Sequence, residues 1–381
     1  MNVFCPECGT KDTLSPLRWC CACHGAWEFE ERGDFDPELI DAGDSSIWRY
    51  RHLYGLPFDT PSVRLGAGGT PLLPATLPVA SADGSAVQER QVLLKVEYLA
   101  PTASFKDRGT AVMVNILAHQ GVSHVADDSS GNAGASVAAY AARAGLHAEV
   151  FVPAHASPAK QAQIAVYGAQ VRPVPGPRLN AKLAAIESVQ RGVVYASHAY
   201  HPGFLLGQQS VAWEVWEQLG RRAPDWYVVP VGQGVHLLGV WLGFRRLRAA
   251  GLVDRLPRLA AVQPALLAPL CRAFEAGLEI VPGAEATTPS IAEGLAIAEP
   301  VRGRRLLQAL RETDGICATV QEEAIKAAQG ELARHGFYAE PTSATVVAAL
   351  PSVLEAAHRE ATIVVALTGS GLKGSPTLDE G

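Results

Sequence analysis

No run of about 18 consecutive apolar residues occurs in the chain, so a membrane-spanning helix is not expected. Basic residues are in the minority, 32 Lys and Arg against 38 Asp and Glu, for a net charge of -6. A protein built to grip a phosphate backbone carries the opposite imbalance, so nucleic acid is not expected as a partner. Met1 to Cys8 lacks the basic and then apolar pattern of an export leader, and the expected location is the cytoplasm. Cysteine is scarce after the start: five of the seven fall within the first 23 residues. A disulfide framework would spread its cysteines along the chain, whereas this clustering suits a metal site in a reducing compartment. Two nucleotide fingerprints are missing as well. The dinucleotide pattern GxGxxG starting at Gly232 would need glycine where Leu237 stands, and no Gly-Lys-Ser/Thr phosphate loop occurs.

What is present is length and apolar content. At 381 residues the chain can form two core-bearing domains and a small appendage, and 48% apolar against 18% charged residues excludes wholesale disorder. Short β-branched runs alternate with longer Ala-rich stretches. Strands are expected near 92–96, 122–126, 148–152, 170–174, 192–195, 226–231, 260–263, 316–320 and 362–367, with helices between them. That alternation implies an α/β fold with mainly parallel sheets covered by helices. The stretch 80–90, with its small polar run Ala80 to Ser85, reads as an exposed hairpin or loop. In such sheets ligands collect at the C-terminal ends of the strands, so the loops after strands are where chemistry is sought.

Four of those loops are small, polar and, in most cases, Gly-rich. In the first, PTASFKDRG (101–109), Ser104 is expected to cap a helix whose first turn holds Lys106. An ammonium at the positive end of a helix dipole is disfavoured, which helps a lysine that must lose its proton to form a Schiff base. Taken alone, Lys106 reads as readily as a solvated lysine in a charged turn with Asp107 and Arg108. The second, Asp127 to Ser136, offers hydroxyls and free amides that suit a carboxylate, or simply a good helix start. The third, Pro230 to Gly239, lets backbone amides approach a monophosphate, with a bare glycine turn as the alternative. The fourth, Leu367 to Gly374, holds a hydroxyl in a tight turn, or is a plain loop near the C-terminus.

Their joint order carries more than any one of them. PTASFKDRG (101–109), SSGNAGAS (129–136), VPVGQGVHLLG (229–239), SIAEGLAI (290–297), AEPTSA (339–344) and LTGSGLKG (367–374) together resemble the threonine synthases. These belong to the wider group of pyridoxal phosphate enzymes that includes tryptophan synthase β chains and serine dehydratases. The resemblance implies a two-domain fold type II enzyme and a pyridoxal 5'-phosphate cofactor. It further implies an amino-acid substrate and a homodimer. The implied division is a large domain from 29–109 and 206–381, a small inserted domain from 110–205, and an appendage from 1–28. Lys106 resembles the cofactor's covalent anchor and catalytic base, Phe105 the neighbour flanking the ring, and Asn132 the partner of the 3-hydroxyl oxygen. Ser129, Ser130, Gly131 and Ala133 resemble the loop that grips the substrate carboxylate. Gly232, Gln233, Gly234, Val235 and His236 resemble the phosphate cradle. Thr368 resembles the hydroxyl partner of the pyridine nitrogen, which suits elimination better than transamination.

One segment departs from the family. Where threonine synthases usually carry NPxRxEGQKT, this chain reads HPGFLLGQQS (201–210), with Phe204 for the arginine and Gln209 for the lysine. Ala133 also replaces a common threonine. Losing two cations and a hydroxyl weakens a phosphate site by several kcal/mol, at about 1.5–3 kcal/mol per charge-assisted hydrogen bond. Arg108, His198 and His201 are the groups available to compensate; the simpler expectation is a changed leaving group. The expected reaction is elimination on an activated amino acid of the O-phosphohomoserine kind. The alternatives are β-elimination or β-replacement of the serine/threonine dehydratase, diaminopropionate or cysteate type, and a catalytically silent amino-acid-binding regulator. The retained Lys106 argues against the last of these.

At the start of the chain, Cys5, Cys8, Cys20 and Cys23 form two CxxC pairs that can wrap one structural zinc, with Gly9 and Gly25 just after them. Cys21 and His24 are alternates for the fourth position. Similar cysteine-bearing starts occur in some threonine synthases. Cys271 and Cys317 read as ordinary core cysteines.

Overall fold

The computed structural model describes residues 1–30, 35–80, 87–285 and 288–374. Of the hairpin or loop expected at 80–90, residues 81–86 lie outside the described residues, while 87–90 belong to the strand Val87–Lys95. Contacts group the chain into two units, Met1–Gly69 with Ala100–Ser210, and Thr70–Leu99 with Val211–Gly381. The division expected from the family drew its edges elsewhere, at 109/110 and 205/206.

The first unit holds a four-stranded sheet in the order Gln170–Val174, His147–Pro153, His124–Asp127, Val194–Tyr195, parallel throughout. Strands covered on both faces need apolar residues on both, and six of the seven residues of His147–Pro153 are buried. The helix Asn132–Ala144 forms because alanine resists helix formation least, and it stops at Gly145, whose φ of 71° closes the last turn. Residues 2–29 of the same unit form a small antiparallel sheet in the order Lys11–Thr13, Asn2–Phe4, Glu28–Phe29.

The second unit is built on a six-stranded sheet in the order Ile316–Val320, Arg258–Pro264, Trp226–Pro230, Ile363–Ala366, Val87–Lys95, Leu72–Ala80. The first five strands run parallel and the last is antiparallel. Leu94, Val228, Val365 and Leu332 lie fully buried in its core. Each such side chain contributes about 1.5–3 kcal/mol by leaving water. The strand Leu72–Ala80, which holds Pro74 and Pro78, was not among those expected. It is an edge strand, where a missing N–H costs no ladder bond on the open side.

Two further features of this unit matter below. The Lys95 ammonium, fully buried, pairs with Glu214 and donates to the Thr70 carbonyl (2.7 Å) and Gln218 Oε1 (2.9 Å). Cys271 and Cys317, expected as separate core cysteines, are disulfide-bonded, with their Cα atoms 5.0 Å apart. Cys317 lies opposite Ala261 on the neighbouring strand, and Cys271 comes from the helix Pro269–Glu275 that follows that neighbour.

Candidate active site

Lys106 opens the helix Lys106–His119. The capping differs from expectation: the N-cap position is Phe105, which makes no side-chain cap bond, and Ser104 Oγ is buried without a partner. The helix start is held from inside instead. Asp107, fully buried, accepts from the Thr102 amide and hydroxyl, both at 2.6 Å, and from Ser136 Oγ at 2.6 Å. Asp107 and Arg108 are therefore not the solvated turn that a lone reading allowed, since Arg108 is also fully buried and donates to Ser210 Oγ at 3.2 Å. Ala103, just before, sits at φ 59°, a left-handed conformation that costs a non-glycine residue on the order of 1–3 kcal/mol and marks functional turns.

The Lys106 Nζ lies 4.6 Å from the Phe105 ring centre and 5.8 Å from that of Phe204. Phe204 is fully buried, and a Cβ on Gly109 would meet its ring at 2.5 Å. Gly109 thus keeps the aromatic face of Phe204 close to the helix that carries the lysine. The His198 ring stacks edge-on against Phe204 at 5.8 Å, and its Nδ1 is buried without a partner. Burial first, and then the charge of Lys106, hold His198 well below its ordinary pKa and therefore neutral.

The second loop leaves the strand His124–Asp127 and enters the helix Asn132–Ala144 as expected. The Ser129 amide donates to Asp127 Oδ2 at 3.2 Å, and the Gly131 amide to Ser129 Oγ at 3.3 Å. Ser129 and Ala133 are buried, while Ser130, Gly131 and Asn132 are half-buried. Asp127 itself is fully buried, and its Oδ1 has no partner. Burial and the neighbouring Asp128 push its carboxyl up to about 8, against the pull of Lys106. Asp128 accepts from the Tyr195 hydroxyl at 2.8 Å. Sequence reasoning assigned no role to Asp127, although a carboxylate ending the apolar run His124-Val-Ala-Asp127 was the available signal.

In the other unit, Gly232 to Gly234 connect the strand Trp226–Pro230 to the helix Val235–Ala249. A Cβ on Gly232 would meet the Gly294 carbonyl at 2.8 Å, and Gly234 has φ +73° and would clash with Leu306 at 2.3 Å. Only glycine fits at these two positions of the turn, which leaves the first-turn amides of a 15-residue helix without intrahelical acceptors. Gln233 accepts from the Val301 amide at 3.0 Å, and His236 Nε2 lies 3.1 Å from the Tyr227 hydroxyl. The remaining sequence motifs gather here too. The Gly294 amide donates to Thr342 Oγ1 at 3.3 Å, and Ser343 Oγ lies 3.1 Å from the buried Thr368 hydroxyl.

The N-terminal cysteines come together with one change of partner. Sγ separations are 3.4 Å for Cys5–Cys23, 3.6 Å for Cys8–Cys21 and 3.4 Å for Cys8–Cys23, and all four atoms lie within 4.8 Å of one another. Cys21 stands where Cys20 was expected, and the backbone explains why. In the first knuckle Cys5 N donates to Thr10 and Cys5 O accepts from Gly9 (φ 75°), the residue after Cys8. In the second, Cys21 N donates to Gly25 and Cys21 O accepts from His24 (φ 66°), the residue after Cys23. The second knuckle is therefore one residue shorter, CxC, and its first cysteine is Cys21. Next to it, Trp19 packs edge-on against Tyr195 (5.4 Å) and Tyr200 (4.7 Å), so the cysteine segment abuts the tyrosine that holds Asp128.

Among known proteins, the pyridoxal-phosphate dependent enzyme family matches residues 63–369. The threonine synthase of Methanocaldococcus jannaschii is 32% identical over 97% of this chain and 92% of its own. That of Synechocystis is 34% identical over 86% of this chain and 82% of its own. In structure, a threonine deaminase from T.th. is similar with a TM-score of 0.65 at 28% identity, covering 75% of this chain and 89% of its own. The chain belongs to the pyridoxal-phosphate dependent enzymes, and within them it is a threonine synthase-like lyase.

Proposed function

We propose that the chain carries out threonine synthase-type elimination on an α-amino acid, with pyridoxal phosphate bound through Lys106. The observation that carries the reading is the setting of that lysine. It opens a buried helix between two aromatic rings, and its charge acts on two enclosed groups, Asp127 and His198. The cofactor suits what is built: a turn that needs glycine at 232 and 234, at a helix N-terminus, takes a phosphate, and a buried hydroxyl at Thr368 takes a ring nitrogen without forcing its protonation. When bound, the cofactor supplies an electron sink for a carbanion at the substrate's α carbon.

The roles then fall to named residues. Gly232, Gln233, Gly234, Val235 and His236 hold the phosphate, Thr368 the ring nitrogen, Phe105 the ring face and Asn132 the 3-oxygen. Ser129, Ser130, Gly131 and Ala133 hold the substrate carboxylate, and the Lys106 amine takes the α-proton. Arg108, buried and donating to Ser210, is the cation we assign to the substrate. The decisive assay supplies O-phosphohomoserine to protein with cofactor bound. Equal release of phosphate and threonine makes that ester the substrate. Neither product, with α-hydrogen exchange still seen on other amino acids, moves the search to β-substituted alanines, the direction that Phe204 and Gln209 favour. Absence of α-exchange on every amino acid tried would end the reading.

We assign the cysteine cluster to one structural zinc. A Zn–S bond of about 2.3 Å in a tetrahedron spaces the sulfurs by roughly 3.8 Å, close to the separations given above. Four thiolates leave no position for water, so the role is structural. Metal analysis should find one zinc per chain in the wild type and in Cys20→Ser, and less than stoichiometric metal in Cys21→Ser. Retention by Cys21→Ser with loss by Cys20→Ser would reverse the assignment.

A further inference from the structure

We propose that Asp127 is the acid that protonates a departing β-hydroxyl, which makes the substrate a β-hydroxy-α-amino acid. The inference rests on the lyase reading above and specifies its leaving group.

Three observations converge on it. Asp127 ends the strand His124–Asp127 at the mouth of the loop assigned to the substrate carboxylate, fully buried, with Oδ1 unpartnered. A buried carboxyl oxygen without a partner costs on the order of 1–3 kcal/mol, a cost that a ligand bonding to it removes. The Lys106 charge acts on both Asp127 and His198, and the His198 ring, its Nδ1 likewise buried and unpartnered, packs edge-on against Phe204, whose ring centre lies 5.8 Å from the Lys106 Nζ. Finally, the segment in which the family carries phosphate-binding cations holds Phe204, buried, and Gln209, whose Oε1 is unpartnered.

The chemistry of leaving groups selects among substrates. Phosphate departs as a stable anion and is helped by cations, not by a carboxyl beside it. An ammonium already carries its proton and departs as neutral amine. Hydroxide is the group that needs a proton delivered as the bond breaks. In the step, the Cα–H bond breaks, its proton goes to the Lys106 amine and its electron pair forms the Cα=Cβ bond. The Cβ–O pair leaves with oxygen, which takes the Asp127 proton and departs as water. The unsaturated amino acid released hydrolyses to a 2-oxo acid and ammonia, so no oxidant or reductant enters. Lys106 returns its proton through solvent and Asp127 is recharged. With the carboxyl pushed up to about 8, Asp127 keeps its proton at neutral pH. The charged or titratable groups acting on it are Asp128, Lys106 and Tyr195.

The test compares wild type with Asp127→Asn, which keeps shape and packing, with L-serine and L-threonine in heavy water. The expected result is 2-oxo acid from the wild type, falling by about 10²–10⁴-fold in the variant, with α-hydrogen exchange within about threefold of wild type. Wild-type production should also decline as pH rises through about 8. An infrared difference spectrum between the two cofactor-loaded proteins at neutral pH should contain the band of a protonated carboxyl. Phosphate release from O-phosphohomoserine with no 2-oxo acid from hydroxy amino acids would overturn the inference and leave the lyase reading intact. Loss of α-exchange together with elimination in Asp127→Asn, or an absent carboxyl band, would overturn the role of Asp127. No α-exchange by the wild type on any amino acid would instead sink the lyase reading itself.

Discussion

Lys106→Ala should lower elimination by about 10³-fold or more, because it removes both the covalent anchor and the base from one position. The loss should come without unfolding. Lys106 is the first residue of its helix, where alanine is tolerated, and the helix start is held by Asp107 with Thr102 and Ser136 rather than by the lysine. Borohydride treatment of the wild type should fix one cofactor to the peptide carrying Lys106, and the variant should yield no such peptide. A variant within about tenfold of wild-type turnover would mean that another group takes the α-proton.

Gly134→Ala should be the most damaging change of a single methyl group near the site. Its Cβ would fall 1.9 Å from the Ser129 carbonyl oxygen, and 3.1 Å from a Val150 methyl on the adjoining strand. Neither backbone can yield alone, so the loop that carries Ser129, Ser130 and Gly131 must shift away from the helix. A displacement of about 1 Å in a substrate-holding loop costs roughly 10²-fold in kcat/KM. Gly330→Ala, inside the helix Glu322–Arg334, is the control, since a Cβ there would meet only the end of the Arg334 side chain at 3.6 Å. Equal kinetics for the two variants would show that the loop's place does not matter to the reaction.

The parallel strands were legible because, buried on both faces, they read as short apolar runs. Gln170–Val174 and Ile316–Val320 have their expected bounds. The edge strand Leu72–Ala80 was not among those expected, and the meaning of its prolines depends on which neighbour a strand has, a fact of tertiary structure. At the site, residues in glycine-rich motifs were legible, since their spacing is local. Asp127 was not, because a carboxylate's importance here comes from complete burial and an unpartnered oxygen, and burial belongs to the fold. The same limit applies to Cys20 and Cys21. The choice between adjacent cysteines turns on which amide reaches Gly25, and spacing alone favoured the regular CxxC. The Cys271–Cys317 bond, spanning 46 residues, left no trace in the sequence either.

The pairing of Lys95 with Glu214 has a consequence for how this lineage can vary. Thr70 donates to Glu97 at 2.6 Å and to Glu214 at 3.1 Å, so the approaches to two strands and one helix meet at a single enclosed ionic knot. Changing either charge alone strands the other in the interior, at about 3–5 kcal/mol, a large part of the stability of an ordinary domain. Drift at 95 or 214 is therefore blocked in single steps. Homologues should carry both charges or an apolar pair at these two positions, and lineages crossing from one state to the other need a compensating change already in place.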